Sequence, residues 1–348
     1  MDATALARAA AFATVVFLVL AAVPLIQRFC LRFRIFDPPG PLKIHSTPIP
    51  RLGGVAIAAA ALAGTILAVG TANIALPYFC AALTLIWLAG LIDDFRGLSP
   101  LLRLVAQIGG AGLLYFGGWR LWPSAPSIVA LLADCFWVVL FVNAFNFLDG
   151  TDGLAAGVTG VIAAAYILAP GAALGAIGYA LAWSLLGATA AFLVFNFPPA
   201  KIFMGDSGSS TLGFSVAFLG LDLIAAENAN TTSATALIFP LLVAALPLAD
   251  ALLAILRRVK TRRSPFQGDR RHFYDLLLAA GWTTRRVAIT CYLLTAILAG
   301  LAWLATQGGA KRIALLGIAA GVALLWAMLW LGALRSETAP PRSERVQF

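Results

Sequence analysis

The sequence predicts an all-α, polytopic integral membrane protein of about eleven transmembrane helices, with the N-terminus outside and the C-terminus inside. Three observations lead to this fold class. The 348 residues are 61% hydrophobic and only 11% charged, with a mean hydropathy of +0.93, which is rare in soluble domains. Apolar runs long enough to cross a bilayer recur along the chain. Basic residues are concentrated in alternate loops.

Stretches of roughly 20 apolar residues, the length that spans a bilayer, predict the eleven helices. They lie at about 8–27, 53–70, 75–92, 102–119, 127–147, 153–169, 172–195, 209–225, 234–256, 287–306 and 313–334. Continuous apolar runs favour helices, because barrel strands alternate apolar and polar residues. The first run is too long for a signal peptide and no small-residue cleavage site follows it. The gaps are too short for a soluble domain, so residues 1–348 are expected to form one membrane-embedded domain.

The basic residues determine the predicted orientation. With the N-terminus outside, 20 of the 24 Lys and Arg residues fall in inner loops, and only Arg8, Arg120, Lys311 and Arg312 are left outside. Positive charge favours the cytoplasmic side. The polar motifs fall on the same side, together with a basic loop at 257–286 and a tail at 335–348. We therefore expect one active site that faces the cytoplasm.

Two adjacent carboxylates, Asp93 and Asp94, close the third span in "GLIDDFRGL". A carboxylate at a membrane boundary is costly unless a cation lies nearby. A helix end reaching water would explain one acid. The pair, followed by Arg96 and Arg103, favours a role with a metal, a phosphate or a proton, since Mg²⁺ is bound by one or two carboxylates together with substrate phosphates.

The stretch "NAFNFLDGTDGL" places Asn143, Asn146, Asp149 and Asp152 at steps of three. Each step turns about 300° on an α-helix, so these side chains cannot form one narrow face. We predict that the helix ends near Asp149 and that Asp152 lies on a glycine turn before the next span. Capping and turn chemistry explain the acids but not two amides within a span, which need polar partners.

In "FMGDSGSS", Asp206 lies between glycines just before a span. Either Asp206 and the serines merely cap the following helix, or Asp206 holds a cation that bridges to a phosphate. Further along, Phe273, Leu276, Leu277 and Ala280 follow helical spacing, which predicts a short helix on the membrane interface within the basic loop.

Other classes of site find no support in the sequence. Cys30, Cys80, Cys135 and Cys291 are not closely paired and predict neither a disulfide framework nor a metal site. The chain has no Walker loop, dinucleotide-binding glycine motif or serine hydrolase elbow.

Five motifs in order, "KIHSTPIPRLGG", "DDFRGLSP", "NAFNFLDGTDGL", "FMGDSGS" and "PLADALLAILRR…SPFQGDRRH", resemble those of the polyprenyl-phosphate N-acetylhexosamine-1-phosphate transferases. The superfamily includes the phospho-N-acetylmuramoyl-pentapeptide transferases, and the resemblance covers roughly residues 30 to 290. It implies transfer of a sugar 1-phosphate from a UDP-sugar to undecaprenyl phosphate, with release of UMP and a requirement for Mg²⁺, or for Mn²⁺ in its place.

The resemblance also implies roles for individual residues. Asp93 and Asp94 match the catalytic acid pair, Asp206 and Asn146 match positions at the metal, and Asp152 matches the position that recognises uracil, with Asp149 and Asn143 beside it. The basic positions near the phosphates and sugar are Lys43, Arg103, Arg270, Arg271 and His272. Asp250 matches a further acid, for which pairing with Arg257 is the structural alternative.

One departure from the family pattern bears on the sugar. Members that act on UDP-N-acetylglucosamine carry His-x-His-His after the "DR", whereas this chain has His272, Phe273, Tyr274 and Asp275. The transferred aminosugar therefore stays open between N-acetylglucosamine, an unusual deoxy-aminosugar and a muramoyl peptide. Direct attack by the lipid phosphate, which we favour, and a phospho-aspartyl intermediate both stay open.

The expected protein starts a cell-envelope glycan such as O-antigen, in lipopolysaccharide synthesis, at the bacterial inner membrane. Its expected partners are the UDP-sugar, undecaprenyl phosphate and membrane lipids, without nucleic acid, and a homodimer is left open. A transporter or lipid flippase is the alternative of a different class, in which Asp134, Asp250 and the two Asn residues would line a path through the bilayer.

Overall fold

The computed structural model describes residues 3–38, 47–168, 174–227, 234–262, 271–306, 319 and 321–323. A short antiparallel pair of strands, β1 (Phe36–Asp37) and β2 (Ile49–Pro50), accompanies the helices. The helices assigned in these ranges are α1 (Ala3–Phe33), α2 (Gly53–Val69), α3 (Leu76–Arg96), α4 (Pro100–Phe116), α5 (Ser127–Leu148), α6 (Leu154–Leu168), α7 (Ala176–Asn196), α8 (Gly205–Glu227), α9 (Ala234–Val243), α10 (Ala245–Lys260), α11 (Phe273–Ala279) and α12 (Thr284–Thr306).

Most predicted spans coincide with a helix, which confirms a mainly helical, multi-pass membrane protein. In the described ranges, six helices are long and apolar enough to cross a bilayer, or seven if α9 and α10, bent by 76° at their junction, form one span. The apolar helices α2, α4 and α6 have only 15 to 17 residues, or about 25 Å of rise, against a hydrocarbon core of about 30 Å. The count of eleven and the orientation stay predictions, and most of 313–334 lies outside the described residues.

Helix α8 lies at the centre of the fold, packed by α2, α3, α5, α6, α7 and α9. It is among the least apolar of the long helices, but it is rich in small residues. Gly213 lets its backbone approach Val142 and the Phe141 carbonyl of α5, and Trp137 of α5 donates to the Ala217 carbonyl at 2.9 Å. Because lipid offers no hydrophobic reason for helices to associate, close packing through small residues stabilises the bundle.

The start of α2 and the start of α8 are joined by backbone hydrogen bonds. Phe203 donates to the Pro50 carbonyl at 2.8 Å, Gly53 donates to the Phe203 carbonyl at 2.9 Å, and Gly54 donates to the Met204 carbonyl at 2.8 Å. Two N–H groups of the first turn of α2, which have no partner within their own helix, are thereby satisfied. This junction brings both helix starts to one end of the bundle.

Two buried acids accept hydrogen bonds from loops at the end of the bundle opposite the junction of α2 and α8. Asp134 of α5 accepts a hydrogen bond from the Leu121 amide at 2.7 Å, and Asp222 of α8 accepts from the Trp119 indole at 2.8 Å and the Gly175 amide at 2.7 Å. The four cysteines are free, in agreement with the sequence-based expectation. The predicted loop at 257–286 is shorter than expected, because α10 continues to Lys260 and α12 begins at Thr284.

Gly54→Ala is expected to destabilise the protein, because a Cβ at this position overlaps the backbone of Gly208. Overpacking of this kind costs about 1–3 kcal/mol. The measurement is the free energy of unfolding of the purified protein in detergent. Gly112→Ala in α4 is the matched control, since a Cβ there meets nothing within 4 Å. Equal loss of stability in both variants would contradict the close contact between α2 and α8.

Candidate active site

A cavity of about 580 Å³ opens where the ends of α3 and α5 and the start of α8 meet. Its volume is in the range usual for small-molecule sites. Its charged and amide-bearing lining residues are Asp37, Arg51, Asp94, Asn146, Asp149, Asp152, Asn196 and Asp206. The structure therefore brings together polar motifs that are separated by long apolar stretches in the sequence.

Asp94 caps the start of α8 from the neighbouring helix. Its two carboxylate oxygens accept hydrogen bonds from the backbone N–H groups of Asp206, at 2.8 Å, and of Ser207, at 3.0 Å. Gly205 has a φ of 71°, and a side chain at Gly205 would overlap the Asp94 carboxylate, just as one at Gly90 would overlap the backbone at Asp206. Of the two alternatives for Asp206, capping of α8 and binding of a cation, the first is not needed, because Asp94 of α3 supplies this cap.

Asp93 and Asp94 have different surroundings. Asp93 accepts a hydrogen bond from the Leu98 amide and lies 3.1 Å from Arg103, and neither Asp93 nor Arg103 is among the described residues that line the cavity. Adjacent helical residues point about 100° apart, which is why the two neighbouring acids have different partners. A cation was expected near the acid pair, and Arg103, which forms an ion pair with Asp93, is that cation.

The two asparagines of α5 have different hydrogen-bond partners. Asn146 donates to the Asp206 carboxylate at 2.6 Å and approaches Ser209 Oγ at 3.3 Å. Asn143 instead donates to Gln107 of α4 at 3.0 Å and is absent from the described cavity lining. Its predicted role in nucleotide binding stays a prediction, while Asn146 and Asp206 form the pair that was expected at the metal.

The turn between α5 and α6 has the predicted form. Asp149 is the C-cap of α5, Gly153 has a φ of 71°, and Asp152 accepts a hydrogen bond from the Ala200 amide at 2.9 Å. Burial raises the pKa of Asp149 well above its ordinary value, and the negative charges of Asp206, Asp94 and Asp152 raise it further. The cavity thus carries more negative charge than its protein surroundings neutralise.

Three of the charged or amide-bearing residues that line the cavity, Asp37, Arg51 and Asn196, were not among the predicted site residues. Asn196 accepts from the Gly153 amide at 3.0 Å and donates to the Ile202 carbonyl at 2.8 Å, which connects the turn to the segment before α8. Arg51 is the one basic side chain among the described lining residues, and it lies 4.0 Å from Asp37. An amide that ends an apolar span directly before "FPP" is the sequence feature that could have identified Asn196.

The predicted basic residues are only partly placed. Lys43 and Arg270 lie outside the described residues, and the described Arg271 and His272 are not in the cavity lining. His272 is buried, and its Nδ1 lies 2.7 Å from the carboxylate of Asp250. Asp250 therefore contacts the start of α11, a partner that the sequence-based alternative of pairing with Arg257 did not anticipate.

The cavity acids do not form a ready-made metal site. In the part of the chain that the structure describes, no three His, Cys, Asp or Glu side chains are grouped as metal ligands. A Mg²⁺ site needs fewer, because this ion retains water and binds through one or two carboxylates together with substrate phosphates.

Comparisons with known proteins identify the family of this chain. Residues 76–224 match the model of glycosyl transferase family 4, a range that contains Asp94, Asn146, Asp149, Asp152 and Asp206. The chain is 36% identical to the decaprenyl-phosphate N-acetylglucosaminephosphotransferase of Mycobacterium leprae, over 74% of this chain and 73% of the relative.

Two further relatives cover more of the chain. It is 28% identical to a probable undecaprenyl-phosphate N-acetylglucosaminyl 1-phosphate transferase of Bacillus subtilis, over 82% of this chain and 81% of the relative. It is 29% identical to the undecaprenyl-phosphate alpha-N-acetylglucosaminyl 1-phosphate transferase of Salmonella typhi, over 80% and 78%. This chain belongs to glycosyl transferase family 4.

Proposed function

We propose that the protein transfers N-acetylglucosamine 1-phosphate from the UDP-sugar to undecaprenyl phosphate, with release of UMP. The observation that carries the proposal is the cavity at one end of the bundle, where Asp94, Asp149, Asp152 and Asp206 converge from three parts of the chain. The names of all three relatives support N-acetylglucosamine as the sugar, and two of them name undecaprenyl phosphate as the acceptor. The product, undecaprenyl-diphosphate-N-acetylglucosamine, starts a cell-envelope glycan such as O-antigen at the cytoplasmic face of the bacterial inner membrane.

The reaction balances without an additional reactant. An oxygen of the lipid phosphate bonds to the β-phosphorus of the UDP-sugar, and the bond from that phosphorus to the oxygen bridging the α-phosphorus breaks. The electron pair of the broken bond leaves on UMP. An acceptor that enters as a dianion yields UMP as a dianion, so no net proton is transferred.

Direct attack by the lipid phosphate fits the contacts of the acid pair. Both oxygens of Asp94 accept backbone N–H groups, and Asp93 contacts Leu98 and Arg103. Two backbone donors on the Asp94 carboxylate lower its nucleophilicity, which argues against a phospho-aspartyl intermediate at Asp94. The contribution of Asp94 is to hold the first turn of α8, and with it Asp206, in place.

The cavity suits Mg²⁺, or Mn²⁺ in its place. Its donors are carboxylate and amide oxygens, which hard divalent cations prefer, and Asp206 and Asn146 are the residues that would hold the ion. The raised pKa of Asp149, caused by burial and by the neighbouring carboxylates, indicates an excess of negative charge that a cation would neutralise. When bound, the ion stabilises negative charge on the transferring phosphoryl group.

The remaining polar residues divide between the two ends of the donor. We assign contact with the uracil to Asp152, in the glycine turn, because the family resemblance implies this role. Arg51 is the described lining residue that can attract a phosphate. Positioning and electrostatics supply most of the catalysis in phosphoryl transfer, so the protein needs only to hold donor and acceptor in line.

A transporter or flippase fits the structure less well. A polar path needs groups spread through the depth of the bundle, but Asp134 accepts a loop amide at the end opposite the cavity, and Asn143 donates to Gln107. Release of UMP that requires both substrates would distinguish the transferase from a transporter.

A panel of UDP-sugars tests the donor. We expect the purified protein, supplied with undecaprenyl phosphate and Mg²⁺, to release UMP with UDP-N-acetylglucosamine. Donors that carry a deoxy-aminosugar or a muramoyl peptide should react more slowly by at least about tenfold. A deoxy-aminosugar lacks a hydroxyl group that the site would hydrogen-bond, and a muramoyl peptide adds groups that the site would have to accommodate. Faster release from either alternative donor would reassign the sugar, and no release with any donor would refute the proposed function.

Asp206→Asn is expected to lower kcat by about 100-fold or more, the scale of losing one group that stabilises transition-state charge. EDTA should abolish turnover of the wild-type protein, and Mg²⁺ or Mn²⁺ should restore it. Asp134→Asn is the control, because Asp134 is a buried acid that lies at the end of the bundle opposite the cavity. Full turnover by Asp206→Asn would remove Asp206 from the site.

Asp94→Asn and Asp93→Asn should differ in stability. An Asn at position 94 has one side-chain oxygen, so its NH₂ group faces one of the two backbone N–H groups that Asp94 accepts. The cap of α8 is then lost, and the free energy of unfolding should fall by about 1–2 kcal/mol. Asp93→Asn weakens an ion pair with Arg103, whose side chain is 40% exposed, and such pairs contribute about 0–1 kcal/mol. Unfolding and UMP release should both be measured. A larger defect in Asp93→Asn would contradict the capping role of Asp94.

A further inference from the structure

Helix α11 is tied to α10 by one buried carboxylate. Asp250 of α10 uses both oxygens: Oδ2 lies 2.7 Å from His272 Nδ1, and Oδ1 accepts the Phe273 amide at 2.7 Å. His272 and Asp250 are each only 5% exposed. Because both carboxylate oxygens are engaged, the His272 ring is held in one orientation at the start of α11.

Tyr274 ties the same helix to α5. Its ring lies parallel to the His272 imidazole, with centroids 5.5 Å apart and 8° between the planes. Its hydroxyl donates to the Phe147 carbonyl at 3.1 Å, and the Phe147 ring lies 5.4 Å from that of His272. We call Asp250, His272 and Tyr274 the α11 anchor.

The α11 anchor contacts the turn between α5 and α6 on the side that faces away from the cavity. Phe147, which accepts from Tyr274, is two residues before Asp149. Gly150 lines the cavity and contacts the Tyr274 hydroxyl so closely that a side chain at position 150 would overlap this hydroxyl. No anchor residue is among the described residues that line the cavity. The anchor therefore supports the turn between α5 and α6 from its protein side, while Asp149 and Asp152 face the cavity.

We propose that Asp250 and His272 are positioning residues, which hold the turn at 149–152 in the conformation that binds the donor. His272 acts through the N–H of Nδ1 on Asp250 and not through its second ring nitrogen on a substrate. The inference rests on the proposed function only for its kinetic consequence, a higher KM for the UDP-sugar when the anchor is broken.

Two substitutions of His272 distinguish the ring nitrogens. An Asn side chain can place its N–H group near the position of Nδ1, whereas a Gln side chain places its amide near Nε2. We expect His272→Asn to keep the KM for the UDP-sugar within about twofold, and His272→Gln to raise it roughly tenfold or more, the factor that a hydrogen bond to a charged group is worth. Retention by Gln with loss by Asn would overturn the proposal, because His272 would then act through Nε2.

Substitution of the other anchor residues tests the same connection. Asp250→Ala should raise the KM for the UDP-sugar roughly tenfold or more, and Tyr274→Phe about fivefold, the factor for one neutral hydrogen bond. The KM for undecaprenyl phosphate should stay unchanged. In a double-mutant cycle, Asp250→Ala with His272→Gln should be no worse than Asp250→Ala alone, because both remove one interaction. Additive effects would contradict a shared role.

Hydrogen exchange gives a readout that does not depend on turnover. Amides in a peptide covering residues 148–153 should exchange faster in Asp250→Ala than in the wild type. Asp134→Ala is the control, since it removes a buried acid at the far end and should leave that peptide unchanged. If the wild type turns over but Asp250→Ala alters neither exchange nor KM, the inference fails. If exchange is faster in Asp250→Ala but the wild type releases no UMP from any donor, the proposed function is refuted, while the structural role of the anchor is supported.

Discussion

The cap that Asp94 places on the first turn of α8 is the interaction on which the rest of the site depends. Backbone N–H groups at a helix start have no partner within the helix, and a buried one without a partner is costly. A carboxylate supplied by α3 satisfies two of them at once. Because that cap comes from a neighbouring helix, the Asp206 side chain is left to face Asn146 and the cavity.

The same cap explains the glycines around it. Gly90 lets α3 approach the backbone at Asp206, and Gly205 adopts a positive φ next to the Asp94 carboxylate. At the neighbouring junction, Gly54 and Gly208 are in contact, so α2 is held against the same turn of α8. Three helices thus meet at one point with almost no side-chain volume between them, and the acids there are held by backbone packing.

Much of the cavity could be predicted from the sequence because it depends on local geometry. The glycines after Asp149 predict that the helix ends there and that Asp152 lies in a turn, and both features are present. Other features depend on contacts between distant residues. The cap of Asp94 on α8 joins positions more than 100 residues apart, and nothing in "DDFRGL" indicates which of the two acids makes it. Helical spacing does not predict the pairing of Asp250 with His272 either.

The departure from the family's histidine pattern has a physical explanation in this chain. Phe273 packs in the core, Tyr274 donates to the Phe147 carbonyl, and Asp275 accepts from the His272 amide at 3.2 Å. The three residues that replace the rest of the family pattern thus make contacts within the protein, and Tyr274 connects α11 to α5. Under the proposed function, the choice of sugar is therefore expected to depend on residues that line the cavity, such as Arg51, rather than on the sequence "HFYD". The proposed role of the α11 anchor gives this segment a different use, since the anchor would support the turn that carries Asp149 and Asp152.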